Sequence, residues 1–198
     1  MIKDRIILGI DPGTMVMGYS LILQKDKHIS LLRMGVLKLK QYDNQALKLK
    51  KIFERVLEII DEYHPDELAI EAPFFGKNVQ SMLKLGRAQG VAMAAALYRD
   101  IPIFEYSPRK IKQSITGNGA ASKEQVALML QKIIQFENLP EFLDATDATA
   151  AAVCHYFQRD INLIGDNNTE SRTVKIPKGK KSFNSWSSFI NDNPDKIL

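Results

Sequence analysis

A single cysteine, Cys154, stands in 198 residues. No intramolecular disulfide framework is possible, which fits a reducing cytoplasm. Cys154 falls in an apolar stretch and reads as buried filler. The chain also lacks any apolar run that could cross a bilayer: its longest low-charge stretch, Gly90 to Tyr98, is far too short. Charges at Lys3, Asp4 and Arg5 occupy the place where a signal peptide needs apolar residues. No Gly-Lys-Ser/Thr follows the Gly117-Asn118-Gly119 loop, so it is not a nucleotide-cradling P-loop. The three histidines, His28, His64 and His155, are scattered over a turn, a helix end and a helix, and read as structural. What remains is a chain 45% hydrophobic and 25% charged, with net charge +4. That is an ordinary globular composition, mildly biased toward polyanionic partners.

Hydrophobic periodicity divides the chain into elements. Strands are expected at residues 6–11, 18–24 and 28–39, joined by short turns as an antiparallel meander. A helix follows over 43–63, with Leu49, Phe53, Val56, Ile60 and Tyr63 on one stripe. His64-Pro65 stops it, and Glu67 to Glu71 forms a fourth strand. A second helix spans about 79–99, and a fifth strand 101–106. Ser107-Pro108 starts a further helix, Ser122 and Gln125 form a capping box for another ending near Ile134, and a last helix runs from Asp144 to about Gln158. Strand–helix–strand units add parallel strands to the meander, giving an α/β fold with a five-stranded mixed sheet flanked by helices. After about Asp160 the composition turns to Asn, Asp, Ser and Lys, with Arg172, Lys175, Lys178, Lys180 and Lys181 uninterrupted by acid. The expected organisation is one domain over 1–158 and a polar, basic, flexible tail over 159–198.

The chemistry is carried by acids at element ends. Asp11 closes the apolar strand and precedes Pro12-Gly13-Thr14. Glu71 closes Leu68-Ala69-Ile70, and Asp144 with Asp147 opens an alanine-rich helix. Each has a plainer alternative. Asp-Pro-Gly is good turn chemistry, Glu71 could be an ordinary strand-end acid, and a helix start uses one Asp as a cap. A cap leaves the second Asp unexplained, however, and acids three apart share a helix face. If the four converge they repel one another and require cations, the arrangement that two-metal phosphodiester hydrolysis uses. Residues 107–123 hold Arg109, Lys110, Lys112 and Lys123 and no acid, which is either a solvated basic surface or a phosphate-facing one.

Taken in order, these blocks resemble the RuvC family of Holliday-junction resolvases. The likeness covers Ile10 to Thr14 with Gly18-Tyr19, Ala69-Ile70-Glu71, Phe74 to Asn78, and Leu85 to Val91. It continues through Glu105-Tyr106, Lys112-Gln113, Gly117 to Ala120, Lys123 to Val126, and Asp144 to Ala148. The resemblance implies a ribonuclease-H-like fold and a homodimeric endonuclease. Such an enzyme nicks two opposed strands of a four-way DNA junction symmetrically, leaving 5′ phosphates and 3′ hydroxyls. It implies two Mg2+ per active site, with Mn2+ as a substitute, on Asp11, Glu71, Asp144 and Asp147. Lys112 and Lys123 would lie at the scissile phosphate, and Phe74 against bases. Lys77, Asn78, Arg109 and Lys110 are weaker DNA-contact candidates, and one of Phe74 and Phe75 is expected in the core. A branch-migration complex of the RuvA and RuvB type is the implied partner. The competing readings are a junction-binding protein that does not cut and an actin-like phosphotransferase. The second would need a duplicated domain for which the chain has no room. The second helix, with small residues between Gly86 and Ala96, is expected to build the dimer interface through its Ala92 face, and the rival reading packs that face on the protein's own sheet.

Overall fold

The computed structural model describes residues 4–26, 28–73, 78–134 and 143–165, with side chains to 159. Phe74, Phe75, Lys77 and the expected tail beyond Gly165 lie outside the described residues. The chain divides between Ile164 and Gly165.

Five strands form one sheet in the order β3-β2-β1-β4-β5. Strand β1 (Arg5–Asp11) pairs antiparallel with β2 (Val16–Lys25), which pairs antiparallel with β3 (His28–Lys38). On its other side β1 runs parallel to β4 (Glu67–Glu71), and β4 parallel to β5 (Ile103–Tyr106). The meander and the parallel additions are as the sequence suggests. The fifth strand starts later than expected because Pro102 has no N–H for the ladder. Its carbonyl still accepts from Leu68 N at 2.9 Å.

Both faces of the central strand are covered, which is why β1 reads as an unbroken apolar run. Helices α1 (Gln45–Tyr63) and α2 (Val79–Tyr98) pack on the face that carries Leu8, Ile10, Leu68 and Ile70. Helices α3 (Pro108–Thr116), α4 (Lys123–Ile134) and α5 (Leu143–Gly165) cover Ile7, Ile22 and Ala69 on the other. Local chemistry sets the helix ends. Asn44 accepts from Ala46 N, His64 closes α1 in the left-handed conformation, and Ser107 accepts from Lys110 N with Pro108 in the first turn. The Ser122–Gln125 capping box is present in both directions, at 2.9 and 3.2 Å. Cys154 and His155 are buried in the core. Among the described residues, no helix is long and apolar enough to cross a membrane.

One expectation is corrected. Ala88, Ala92, Ala95 and Ala96 are fully buried against the chain's own sheet and α1, so the Ala92 face of α2 is not free for a symmetry mate. The opposite stripe is the exposed one. Val79, Leu83, Gly90, Ala94 and Leu97 recur three to seven residues apart on it, and a Cβ added at Gly86 or Gly90 would meet nothing within 4 Å. Also, α5 continues to Gly165, past the expected end near Gln158.

Candidate active site

Strand period and register bring the acids together. Side chains two apart share a face, so Ile7, Gly9 and Asp11 all look toward α5, as do Glu67, Ala69 and Glu71. The parallel register pairs Gly9 with Ala69 and Ile10 with Ile70, which puts Asp11 and Glu71 side by side where the two strands end. The third contribution comes from the first turn of α5, and two glycines let it approach. A Cβ on Gly18 would lie 1.9 Å from the Asp144 carbonyl oxygen, and one on Gly9 would lie 2.1 Å from that of Ala148. Only a residue without Cβ permits this contact. Oxygens of Asp11, Asp144 and Asp147 consequently lie within 4.8 Å of one another.

The electrostatics follow from crowding and burial. Asp11 is pushed up to about 8, first by loss of water and then by Glu71 and Asp147, with Lys123 pulling the other way. Glu71 is pushed up to about 7 by burial and by Asp147, against the pull of Lys123 and Lys112. Lys123 hydrogen-bonds Asp147. Burial works to lower the Lys123 ammonium, and the bond to Asp147 outweighs it, so the lysine is held above its ordinary value. Two lysines do not neutralise four acids. The donors are all carboxylate oxygens, the set that hard divalent cations take, so these residues fit a metal site.

The acids open into a cleft of about 860 Å³. Asp11, Glu71 and Asp147 form one wall, and α3 with the 117–120 loop forms the other. Lys112, Lys123 and Arg109 line it. Lys110 is exposed on α3 and is not among the lining residues. Asn78 is the N-cap of α2, and its side-chain oxygen accepts from Ser81 N at 3.0 Å. Phe74 and Lys77 fall outside the described residues.

Some supporting groups are not among the site residues expected from the sequence. Gln89, buried on the alanine face of α2, donates to Glu105 Oε2 at 2.8 Å, and its Nε2 lies 3.5 Å from the Glu71 carbonyl oxygen. A lone amide among alanines is the signal that could have marked it. Behind the site, His155 lies with Nδ1 2.7 Å from the Tyr106 hydroxyl and Nε2 2.9 Å from Glu67. Burial and Arg5 lower its pKa to about 4. The ring is therefore neutral, donating to Glu67 and accepting from Tyr106, a structural role as expected.

A five-stranded mixed sheet of this order, with acids gathered at the ends of its two central parallel strands and on one helix, defines a nuclease of the ribonuclease-H-like class. The comparisons narrow the class. The model of the family "Crossover junction endodeoxyribonuclease RuvC" matches residues 7–155. The crossover junction endodeoxyribonuclease RuvC of Cytophaga hutchinsonii is 59% identical over 98% of this chain and 88% of its own length. That of Christiangramia forsetii is 57% identical over 98% and 94%. The solved T. thermophilus RuvC in complex with Holliday junction substrate superposes with TM-score 0.74 at 30% identity, covering 80% of this chain and 96% of that one. The chain belongs to the RuvC family of crossover junction endodeoxyribonucleases.

The glycine contact yields a direct test. Gly18→Ala forces the start of α5 away from β2 and separates Asp144 from Asp11. The variant is expected to remain folded by circular dichroism with a melting temperature several degrees lower. Divalent ions are expected to raise the melting temperature of the unmodified protein, and that rise should disappear in this variant.

Proposed function

We propose that this chain resolves four-way DNA junctions by paired, symmetric nicks, using two Mg2+ per active site, with Mn2+ able to replace them. The observation that carries the reading is the meeting of Asp11, Asp144 and Asp147 within 4.8 Å, beside a partly buried Glu71, in a cleft edged by lysines. Asp11, Glu71, Asp144 and Asp147 hold the ions. When bound, such ions supply an activated water for in-line attack and charge for the leaving 3′ oxygen. The chain's own residues do the rest. The strand ends and the first turn of α5 fix the carboxylates rigidly. Lys112 and Lys123 line the cleft beside the acids, to hold the phosphate and offset charge developing on it. Arg109 grips the backbone from the same helix as Lys112. Phe74 is assigned to stack on a junction base, and Lys77, Asn78 and Lys110 to the outer DNA surface. A non-cutting junction binder is the weaker reading, because all four acids are present.

Symmetric cutting asks for two sites of like orientation, which an isologous dimer supplies. The exposed α2 stripe at Val79, Leu83, Gly86, Gly90, Ala94 and Leu97 suits it, since small residues let two helices approach and apolar ones flank the contact. The nuclease lies in residues 1–164, α5 included to Ile164, and the cations of the polar sequence beyond it suit a DNA backbone. A branch-migration complex of the RuvA and RuvB type is the proposed partner, and the cytoplasm the compartment.

Asp11→Asn, Glu71→Gln, Asp144→Asn and Asp147→Asn, assayed singly on a synthetic mobile junction with Mg2+, should each lose about 100-fold or more in nicking rate. Junction binding measured in Ca2+ should be kept or tightened, because one negative charge facing the phosphates is gone. Undiminished nicking by any variant removes that residue from the site, and no nicking by the unmodified protein overturns the function.

The two faces of α2 are separable. Gly90→Arg, on the open stripe, should give a folded monomer by sedimentation that no longer makes paired nicks. Ala92→Arg buries a charge in the core and should not fold, by circular dichroism. A folded dimer of Gly90→Arg would remove this stripe from the interface.

A further inference from the structure

The polar side chains that line the cleft are nearly all engaged. Ser107 caps α3, Asn118 Oδ1 accepts from Ala120 N at 2.9 Å, and Lys123 is bonded to Asp147. Lys112 acts on Glu71 electrostatically. Two lining side chains, both exposed, have no hydrogen-bond or ionic partner among the described residues: Arg109 and Gln113. They sit on α3 four residues apart, so one stands above the other on the same face, about 5–6 Å between their Cβ atoms. Ile111 and Ile115 bury the opposite face of the helix. The orientation of the pair toward the cleft is thus fixed by core packing rather than by chance of a loop.

The two groups differ in chemistry in a way that matches one nucleotide. A guanidinium takes phosphate oxygens and carries no sequence information. A carboxamide offers a donor and an acceptor side by side, the pattern that reads a base edge. A phosphate gripped at Arg109 leaves its own base within reach of a group one helical turn further along.

Building on the endonuclease function proposed above, we infer that Gln113 reads the base of a nucleotide flanking the scissile phosphate and makes the rate of cutting depend on that base. Arg109 holds the adjoining backbone without regard to sequence. The discrimination expected from one such amide contact is on the order of 10-fold between the best and worst base.

The test maps cut positions on a set of junctions that differ only in the base pairs flanking the crossover, using full-length protein with Mg2+. The unmodified protein should cut these unevenly. Gln113→Ala should bring the best and worst sites within about 3-fold of each other. Arg109→Ala should slow cutting at every site while keeping their ranking. Gln113→Glu exchanges the donor for a second acceptor and should re-rank the sites toward bases that present an amino group, cytosine above all. Circular dichroism of each variant should match the unmodified protein, as these side chains are exposed. Uneven cutting that survives unchanged in both Gln113 variants would overturn the inference, as would even cutting by the unmodified protein, and neither result touches the proposed function. Failure of the unmodified protein to cut any junction overturns both.

Discussion

Mutual repulsion among four carboxylates is the constraint around which this molecule is built. Asp11 and Glu71 are driven together by strand register, and Asp144 and Asp147 are pressed onto them by a helix that approaches β1 and β2 at glycines. A protein selected only for stability would not keep acids so close and so poorly hydrated. Displacing Asp11 to about 8 corresponds to several kcal/mol of disfavoured charge. The rest of the structure supplies the rigidity to hold them there. One alanine-rich helix packs its alanine face on the sheet, a second carries two of the acids, and the buried Glu67–His155–Tyr106 chain ties that second helix to β4 and β5.

Much of this was legible in the sequence, because the signals were local. An apolar run ending in Asp11 can only be a strand leaving a core. Ser107-Pro108 and Ser122 with Gln125 spell out helix starts whose hydrogen bonds the structure contains. The acids at 144 and 147 were visible as a surplus over what a cap needs. Convergence itself was an inference from the residue types. It became geometry only through the β1–β4 register, which no local pattern encodes.

The second helix shows where such reading stops. Seven of the eleven positions from Gly86 to Ala96 are Gly or Ala, and they fall on both faces of the helix, so composition does not tell the faces apart. Which alanines meet the sheet depends on the rotation of the helix about its axis, set by distant contacts with Leu8, Ile10 and α1. Hence the Ala92 face, a candidate for pairing, lies in the core, and the glycines lie outside. Gly9 and Gly18 were similarly silent. Each is an unremarkable strand residue until α5, more than a hundred positions away, comes to rest on it.

The central claim is that divalent cations relieve the crowding of these acids, and it has a signature in pH. Without ions, the folded protein holds protons on Asp11 and Glu71 that the unfolded chain releases near pH 4. These two acids therefore make stability fall as pH rises from about 4 to about 8 and add no slope above that. His155, lowered to about 4, has the opposite slope, but it acts only below its unfolded value of 6.5. From about pH 7 to 8 only the acids contribute. The decisive measurement is the rise in melting temperature produced by Mg2+ or Ca2+ across this window. That rise should grow with pH up to about 8 and then level off, as ions replace protons, and it should be nearly absent in Asp11→Asn. An increment independent of pH, or one equally large in Asp11→Asn, would contradict the claim.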